Sequence, residues 1–474
     1  MTNDKGQMTW QQLTLSNLPA YEWRKGSFLL NGLSFISRWR AGSWLLADWG
    51  EAIGALLISL VLGLGPFVST ALIGVLLLAV GGYWALITLA DEGNPAAITP
   101  IHYTVLAYWS MAAIATVLSP VKTAALSGLI KLTLYLFLFV LAARVLRNPR
   151  LRNWTIAVLL LVSLVVSAYG VRQEFFGVDQ LATWNDPTSE LADDTRVYSY
   201  LGNPNLLAGY LLAAIALSIV AFIIWRGWLP KALAAVMFGV NLACLFYTDS
   251  RGGWLAALAA LAVLGVLLYF WWRSELPRFW QIWTLPIAFG SCAVLLLIAI
   301  ATVEPLRLRV MSIFAGRGDS SNNFRINVWD AVFRMIGDYP LFGIGPGNGT
   351  FNAIYPRYME TGFTALSAYS IFLETIVEMG FVGFAVFMWM LVVTLNQCVQ
   401  QLNRLYRTRH IQAFWLMGAT AAIAGFLTHG LVDTVWYRPQ INCLWWLMVA
   451  LVASFWQPPT AIDSGEKWGE RIEY

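Results

Sequence analysis

The chain has 474 residues, of which 58% are hydrophobic and only 12% charged. Soluble domains carry about a quarter charged residues, so this composition excludes a soluble enzyme and implies a polytopic membrane protein. The net charge of +4, from 30 basic and 26 acidic residues, is too mild and too scattered for a nucleic-acid binder.

The first segment, residues 1–46, lacks a compact apolar core followed by a small-residue cleavage site, so no cleavable leader is expected. It mixes Trp10, Trp23, Phe28, Phe35 and Trp39 with Arg24, Lys25, Arg38 and Arg40, the pattern of an interfacial segment with rings at headgroup depth. A spanning helix needs about 20 mostly apolar residues. About twelve stretches meet that rule: 47–64, 67–90, 101–118, 125–144, 153–171, 203–225, 230–248, 253–272, 282–303, 368–397, 411–430 and 440–457. Their apolar residues run continuously rather than alternating, which excludes strands. The fold class is therefore an all-α polytopic membrane protein, with a transmembrane domain over 47–457 and a polar tail over 458–474. No internal repeat of the transporter kind is evident.

Orientation follows from the short loops. Arg144, Arg147, Arg150, Arg152, Arg226, Lys231, Arg273, Arg278, Arg404, Arg407 and Arg409 crowd one set, whereas the opposite set holds only Lys122, Arg172, Arg196, Arg251 and Arg438. The first set is expected to be cytoplasmic, with both termini, in the plasma membrane or alternatively a thylakoid. The acidic loop 172–202 and the long polar excursion 304–367 then lie outside. Cys244, Cys292, Cys398 and Cys443 lie in or beside apolar stretches and are expected to pack as buried thiols.

Five places can carry chemistry. Tyr198–Ala208 offers Asn203 and Asn205 as helix caps, with Pro204 in the first turn. Tyr247–Trp254 sets Asp249 and Arg251 at a helix junction with two glycines; Arg251 either grips an anion bidentately or pairs with Asp249 to cap a tight turn. Asn323–Met335 repeats Phe324, Val328, Ala331, Val332 and Met335 at helical spacing, an amphipathic helix over the membrane mouth. Arg325 and Arg334 fall off its stripe, facing either an anion or headgroups and water. Gly343–Gly349, with Asn348, is a turn enforced by Gly and Pro, or an anion-binding loop; it is not a P-loop. His429 and Asp433, four apart, can form a hydrogen-bonded pair. One histidine is short of a metal ligand set, so no metal and no cofactor are expected. His102 and His410 suggest nothing specific. Lys131, inside the fourth span, either snorkels or pairs with an acid in the bundle interior. All five places fall on the outer face under one topology.

Thr248–Trp254, Arg325 through Asn348 and the long outer loop between late spans resemble the O-antigen ligase and polymerase superfamily (Wzy_C-like), over a region of about 200–390. Within it, Tyr200–Leu207, Ser320–Trp329, Thr364–Ser370 and His429–Asp433 closely resemble the cyanobacterial branch called IctB, described as bicarbonate transport proteins implicated in inorganic-carbon accumulation. The superfamily resemblance implies a helical bundle with its active site at the periplasmic mouth, where a glycan moves from a lipid-pyrophosphate carrier to an acceptor without a metal. It also implies arginines that bind the pyrophosphate and a loop histidine, in a His-Asn-x-x-Leu pattern, that serves as base. Arg251 and Arg325 match arginine-bearing motifs, but the run here is Tyr369-Ser-Ile-Phe-Leu373. A phenol with an unperturbed pKa near 10 is a poor base, so His429 or a carboxylate such as Glu374 would have to replace it. Three readings stay open: bicarbonate handling at an arginine-rich anion site, glycan transfer from a lipid-linked donor, and a non-catalytic subunit of another transporter. The expected partners are membrane lipids, bicarbonate or a lipid-linked glycan, and other membrane subunits, with no nucleic acid.

Overall fold

The computed structural model describes residues 9–16, 42–90, 98–178 and 196–457. Most of the interfacial segment, the acidic residues Asp179 to Asp194 and the tail 458–474 lie outside the described residues.

Every apolar stretch becomes a helix: α1 Gly50–Leu64, α2 Thr70–Leu89, α3 Pro100–Leu118, α4 Lys122–Val145, α5 Pro149–Phe176, α6 Pro204–Ile224, α7 Trp228–Tyr247, α8 Arg251–Trp272 and α9 Arg278–Thr302. The polar excursion then contributes α10 Glu304–Phe314, α11 Ser320–Asp338 and the short α12 Asn348–Ile354, before α13 Ile371–Arg407, α14 Ala413–His429 and α15 Pro439–Ser454 complete the bundle. Among the described residues, nine helices are long and apolar enough to cross a membrane, and α1, α14 and α15 are shorter apolar ones. Asn203 caps α6 as expected, its Oδ1 accepting from the N–H groups of Asn205 and Leu206, with Pro204 in the first helical position.

The hub is α6, buried along nearly its whole length and packed against α7, α8 and α14. At the opposite extreme, α9 buries no residue, and its main neighbours are α8, α10 and the adjoining turn Arg273–Glu275. Three of the four cysteines are buried, but Cys292 is exposed on α9 because that helix packs so little. Residues 9–16 dock on α13: Trp10 Nε1 donates to Asn396 Oδ1 at 3.1 Å and Trp389 Nε1 to Leu13 O at 2.7 Å.

The expectation of one continuous span over 368–397 is corrected. At Gly380 the backbone turns to φ 67°, ψ −176°, and α13 is two helices joined at a break. A straight helix of this length would run roughly 55 Å against about 25 Å for α14, yet Ile371 N–H donates to Gly430 O at the end of α14. The break lets the first nine residues take their own direction. It also strands backbone groups in an apolar helix, and these must find partners. The glycine loop supplies them: Phe381 N–H donates to Pro340 O at 2.8 Å, while Val377 O and Glu378 O accept from Ile344 N–H and Gly345 N–H at 2.8 and 2.9 Å. Gly343, Gly345 and Gly347 all have positive φ, 67°, 103° and 97°. The loop is therefore the turn that its composition implied, wedged between α4 and α13. Ser119 Oγ donates to Ile344 O at 2.5 Å, and Pro346 O lies so near Gly128 that a Cβ there would stand 2.0 Å from it.

Gly380→Ala should lower the melting temperature of the purified protein markedly. Its Cβ would meet Leu341 O at 2.1 Å in a left-handed conformation, a strain of about 1–3 kcal/mol before any clash. Gly337→Ala, with nothing within 4 Å on helical α11, is the control and should leave stability unchanged or higher. Equal melting temperatures for Gly380→Ala and wild type would refute the role given to the break.

Candidate functional site

The N-terminal end of α8 and the elements over it hold four arginines and three aspartates. Asp249 ends α7 in a left-handed conformation, φ 55°, which Asp tolerates better than most residues. The Asp249–Arg251 pair, one of the two readings of this turn, does not form. Asp249 instead ion-pairs with Arg309 of α10, and Arg251 reaches the excursion, donating to Ser312 Oγ at 2.7 Å and to Asp319 Oδ1 at 3.0 Å. The tight turn aims the two side chains at different partners, so neither caps the other. Arg196 braces the turn from the other side, donating to Thr248 O at 3.2 Å and to Asn205 Oδ1 at 3.3 Å.

The amphipathic helix forms as α11, burying Val328, Ala331, Val332 and Met335. Asp319 caps it, accepting from Asn322 N–H at 2.9 Å, and so holds Arg251 and α11 together. Arg325 does not face headgroups. It turns inward, donating through Nε to Val432 O at 2.9 Å and through Nη1 to Ser321 Oγ at 2.8 Å, with Nη2 4.0 Å from Asp433 Oδ2. Burial pushes the guanidinium pKa of Arg196 down to about 10, and burial lowers that of Arg325, with Asp433 opposing. Both remain charged at neutral pH.

The His429–Asp433 pair is also absent. The backbone keeps the one-turn relation, Asp433 N–H donating to His429 O at 3.1 Å, but the side chains part: Asp433 Oδ1 accepts from Thr434 N–H at 2.8 Å. His429 is fully buried, both ring nitrogens are without a hydrogen-bond partner, and its ring lies against Gly209 and Gly252. Tyr369, at φ 51°, packs edge-on to Phe324 with ring centroids 5.3 Å apart. Burial, then the charge of Asp433, raises its phenol above the ordinary tyrosine value. It therefore stays protonated at neutral pH and can donate, not accept, a proton.

Arg334 and Asn348 fall elsewhere. Arg334 is on the exposed side of α11, bound to Tyr358 O at 2.6 Å and Glu360 Oε1 at 3.3 Å. Asn348 lines a separate cavity beneath the glycine loop, together with Lys131, Glu374 and Glu378. Lys131 is an exposed residue at the edge of that cavity. Arg309 and Arg196 were not legible as site residues. Arg309 lies beside Arg307 on a short helix, and nothing in its spacing signals a partner sixty positions away.

The family model described as O-Antigen ligase matches residues 236–388. The matched segment contains Asp249, Arg251, Arg309, Asp319, Arg325 and Tyr369 and stops short of His429 and Asp433. No curated protein matches the chain.

Asp249→Asn should destabilise the protein by about 1–3 kcal/mol, since Arg309 is then left without its carboxylate in a largely buried position. Asn keeps the left-handed turn, so Asp249→Ala should melt lower still, by about another 1 kcal/mol. Thermal unfolding followed by tryptophan fluorescence checks the order wild type, Asn, Ala.

Proposed function

We propose that this protein transfers a glycan from a lipid-linked pyrophosphate donor to an acceptor hydroxyl, with the arginine cluster as its pyrophosphate site. The observation that carries this reading is the convergence of Arg251, Arg309 and Arg325, all inside the O-antigen ligase match, on one end of the bundle beside Arg196. A lipid pyrophosphate presents anionic oxygens that guanidinium forks engage bidentately. Four arginines against three aspartates leave the cluster positive, and the donor would replace the aspartates as their partners. We place this mouth opposite the cation-rich loops, hence on the periplasmic side of the plasma membrane with both termini cytoplasmic.

In this reaction the acceptor oxygen attacks the anomeric carbon, the bond from that carbon to the pyrophosphate oxygen breaks, and the leaving pyrophosphate keeps the electron pair. The arginines stabilise the charge that develops on it. The hydroxyl proton needs an acceptor, and protonated Tyr369 is not one. Asp249 and Asp319 are each committed to an arginine at close range, whereas Asp433 is 4.0 Å from Arg325. Asp433 is therefore the carboxylate free to take the proton. Bicarbonate, the other anion considered, has no observation specific to it.

The test is transfer by purified protein from a lipid-pyrophosphate glycan to a hydroxyl acceptor. Arg251→Ala and Arg325→Ala should each lower kcat about 10²–10³-fold. Asp433→Asn should lower it about 10²–10⁴-fold, and Tyr369→Phe by less than about tenfold. No transfer by folded protein, together with labelled-bicarbonate uptake into proteoliposomes that Arg251→Ala abolishes, would replace this reading with transport.

A further inference from the structure

Tyr369 holds a backbone conformation that a bulky residue does not favour. Its φ of 51° lies in the left-handed region, which a non-glycine residue keeps only where its surroundings impose it. Such residues collect at ligand clamps and active sites. Tyr369 stands in the turn over residues 367–370 that ends the polar excursion and leads into α13.

The turn is pinned on both sides of Tyr369. Before it, Ala368 N–H donates to Glu374 Oε2 at 2.5 Å, and Ala368 O accepts from Trp329 Nε1 of α11 at 3.1 Å. After it, Ser370 O accepts from Glu374 N–H at 2.8 Å, and Ile371 N–H donates to Gly430 O at 2.8 Å. Glu374 therefore closes the turn twice, once through its backbone and once through its carboxyl. A carboxyl accepts through its carbonyl oxygen with or without a proton, so this contact requires no charge. Glu374 is buried in the first turn of α13 and does not belong to the arginine cluster.

What the clamp directs is the phenol. The Tyr369 ring meets Phe324 edge-on, and Phe324 precedes Arg325 on α11. Arg325 and Asp433 are both within electrostatic reach of the phenol. Its O–H makes no hydrogen bond among the described residues and is open to a ligand. A neutral hydroxyl beside a guanidinium complements an anionic oxygen, because both groups can donate to it.

We infer that Tyr369 binds the pyrophosphate of the donor, its O–H donating to an anionic oxygen that Arg325 also engages, and that Glu374 is the positioning residue that holds it there. The identity of the ligand rests on the glycan-transfer reading. The position then serves binding, and the proton of the acceptor is left to Asp433.

The experiment is calorimetric titration of inorganic pyrophosphate into the purified full-length protein in lipid nanodiscs, which requires no turnover. Tyr369→Phe keeps the ring packing and should weaken binding at least about tenfold, the effect of losing one hydrogen bond to a charged group. Glu374→Ala should weaken it as much. Glu374→Gln keeps an oxygen for Ala368 N–H and should restore binding to within about threefold of wild type. The double variant Tyr369→Phe, Glu374→Ala should bind no more weakly than either single variant, because both remove the same contact. If Glu374→Ala does not fold, Trp329→Phe, which removes the other bond to Ala368 from a half-buried position, takes its place in the cycle. Losses that add, or a Glu374→Gln variant as weak as Glu374→Ala, would overturn the positioning role. Binding lost in Arg325→Ala but intact in Tyr369→Phe would overturn this inference alone. Wild type that binds no pyrophosphate, or binds it no better than Arg325→Ala, would overturn the arginine site and this inference with it.

Discussion

A backbone that leaves helical geometry inside an apolar span exposes N–H and C=O groups that hydrocarbon cannot satisfy. The interruption of α13 at Gly380 leaves such groups, and the loop from Pro340 to Gly347 satisfies them with four backbone hydrogen bonds. Much of the mouth follows from this exchange. The loop can enter only because Gly128 on α4 and Gly380 on α13 carry no side chain where it passes, and because its own glycines take positive φ. Once seated, it positions Asn348 and α12 on one side and the end of α11 on the other. Glu378, next to the break, then accepts from Gly347 N–H, so a charged group is used to pin the wedge in place.

The arginine cluster obeys a different constraint. Guanidinium groups at the end of an apolar bundle are stable only if paired, because an unpaired buried charge costs several kcal/mol. Each of three arginines is accordingly matched with an aspartate, from an element far away in sequence: Arg251 with Asp319, Arg309 with Asp249, Arg325 with Asp433. These pairs are also what ties α10 and the start of α11 to the bundle, since α9, which leads into them, buries nothing. The anchoring of the excursion and the neutralisation of the site are the same contacts.

The sequence carried the bundle well and the site unevenly. Continuous apolar runs gave all twelve long or shorter membrane helices, because hydrocarbon demands length and apolarity and little else. The stripe of α11 and the cap at Asn203 were equally legible, being local. The sequence singles out Arg251, Arg325 and Asp433 as candidates but not their partners: a pair of Asp249 with Arg251 is one of two local readings, and the structure joins Asp249 to Arg309 and Arg251 to Asp319, sixty and more positions away. His429 and Asp433 keep the backbone relation that their spacing implies, but spacing does not reveal that Asp433 turns to Thr434 N–H and Arg325 while the His429 ring packs against Gly209 and Gly252. Gly380 gave no signal at all, because a glycine within an apolar run is ordinary in membrane helices, and only the loop packed against it shows its conformation to be required.

Tyr369 shows why the two polar sites are best considered together. Its phenol is within electrostatic reach of Arg325 and Asp433 of the cluster and of Tyr437, which lines the cavity beneath the glycine loop. Burial makes it a donor rather than a base, so it can orient an oxygen at the cluster without competing for the proton. Glu374 and Glu378 are turned toward the Ala368 and Gly347 N–H groups. Asp433 and Thr434, adjacent in the chain, point one to each compartment. The residues after α14 thus separate the arginine cluster from the cavity lined by Glu374 and Glu378, with Asp433 beside Arg325 and Thr434 on the cavity wall.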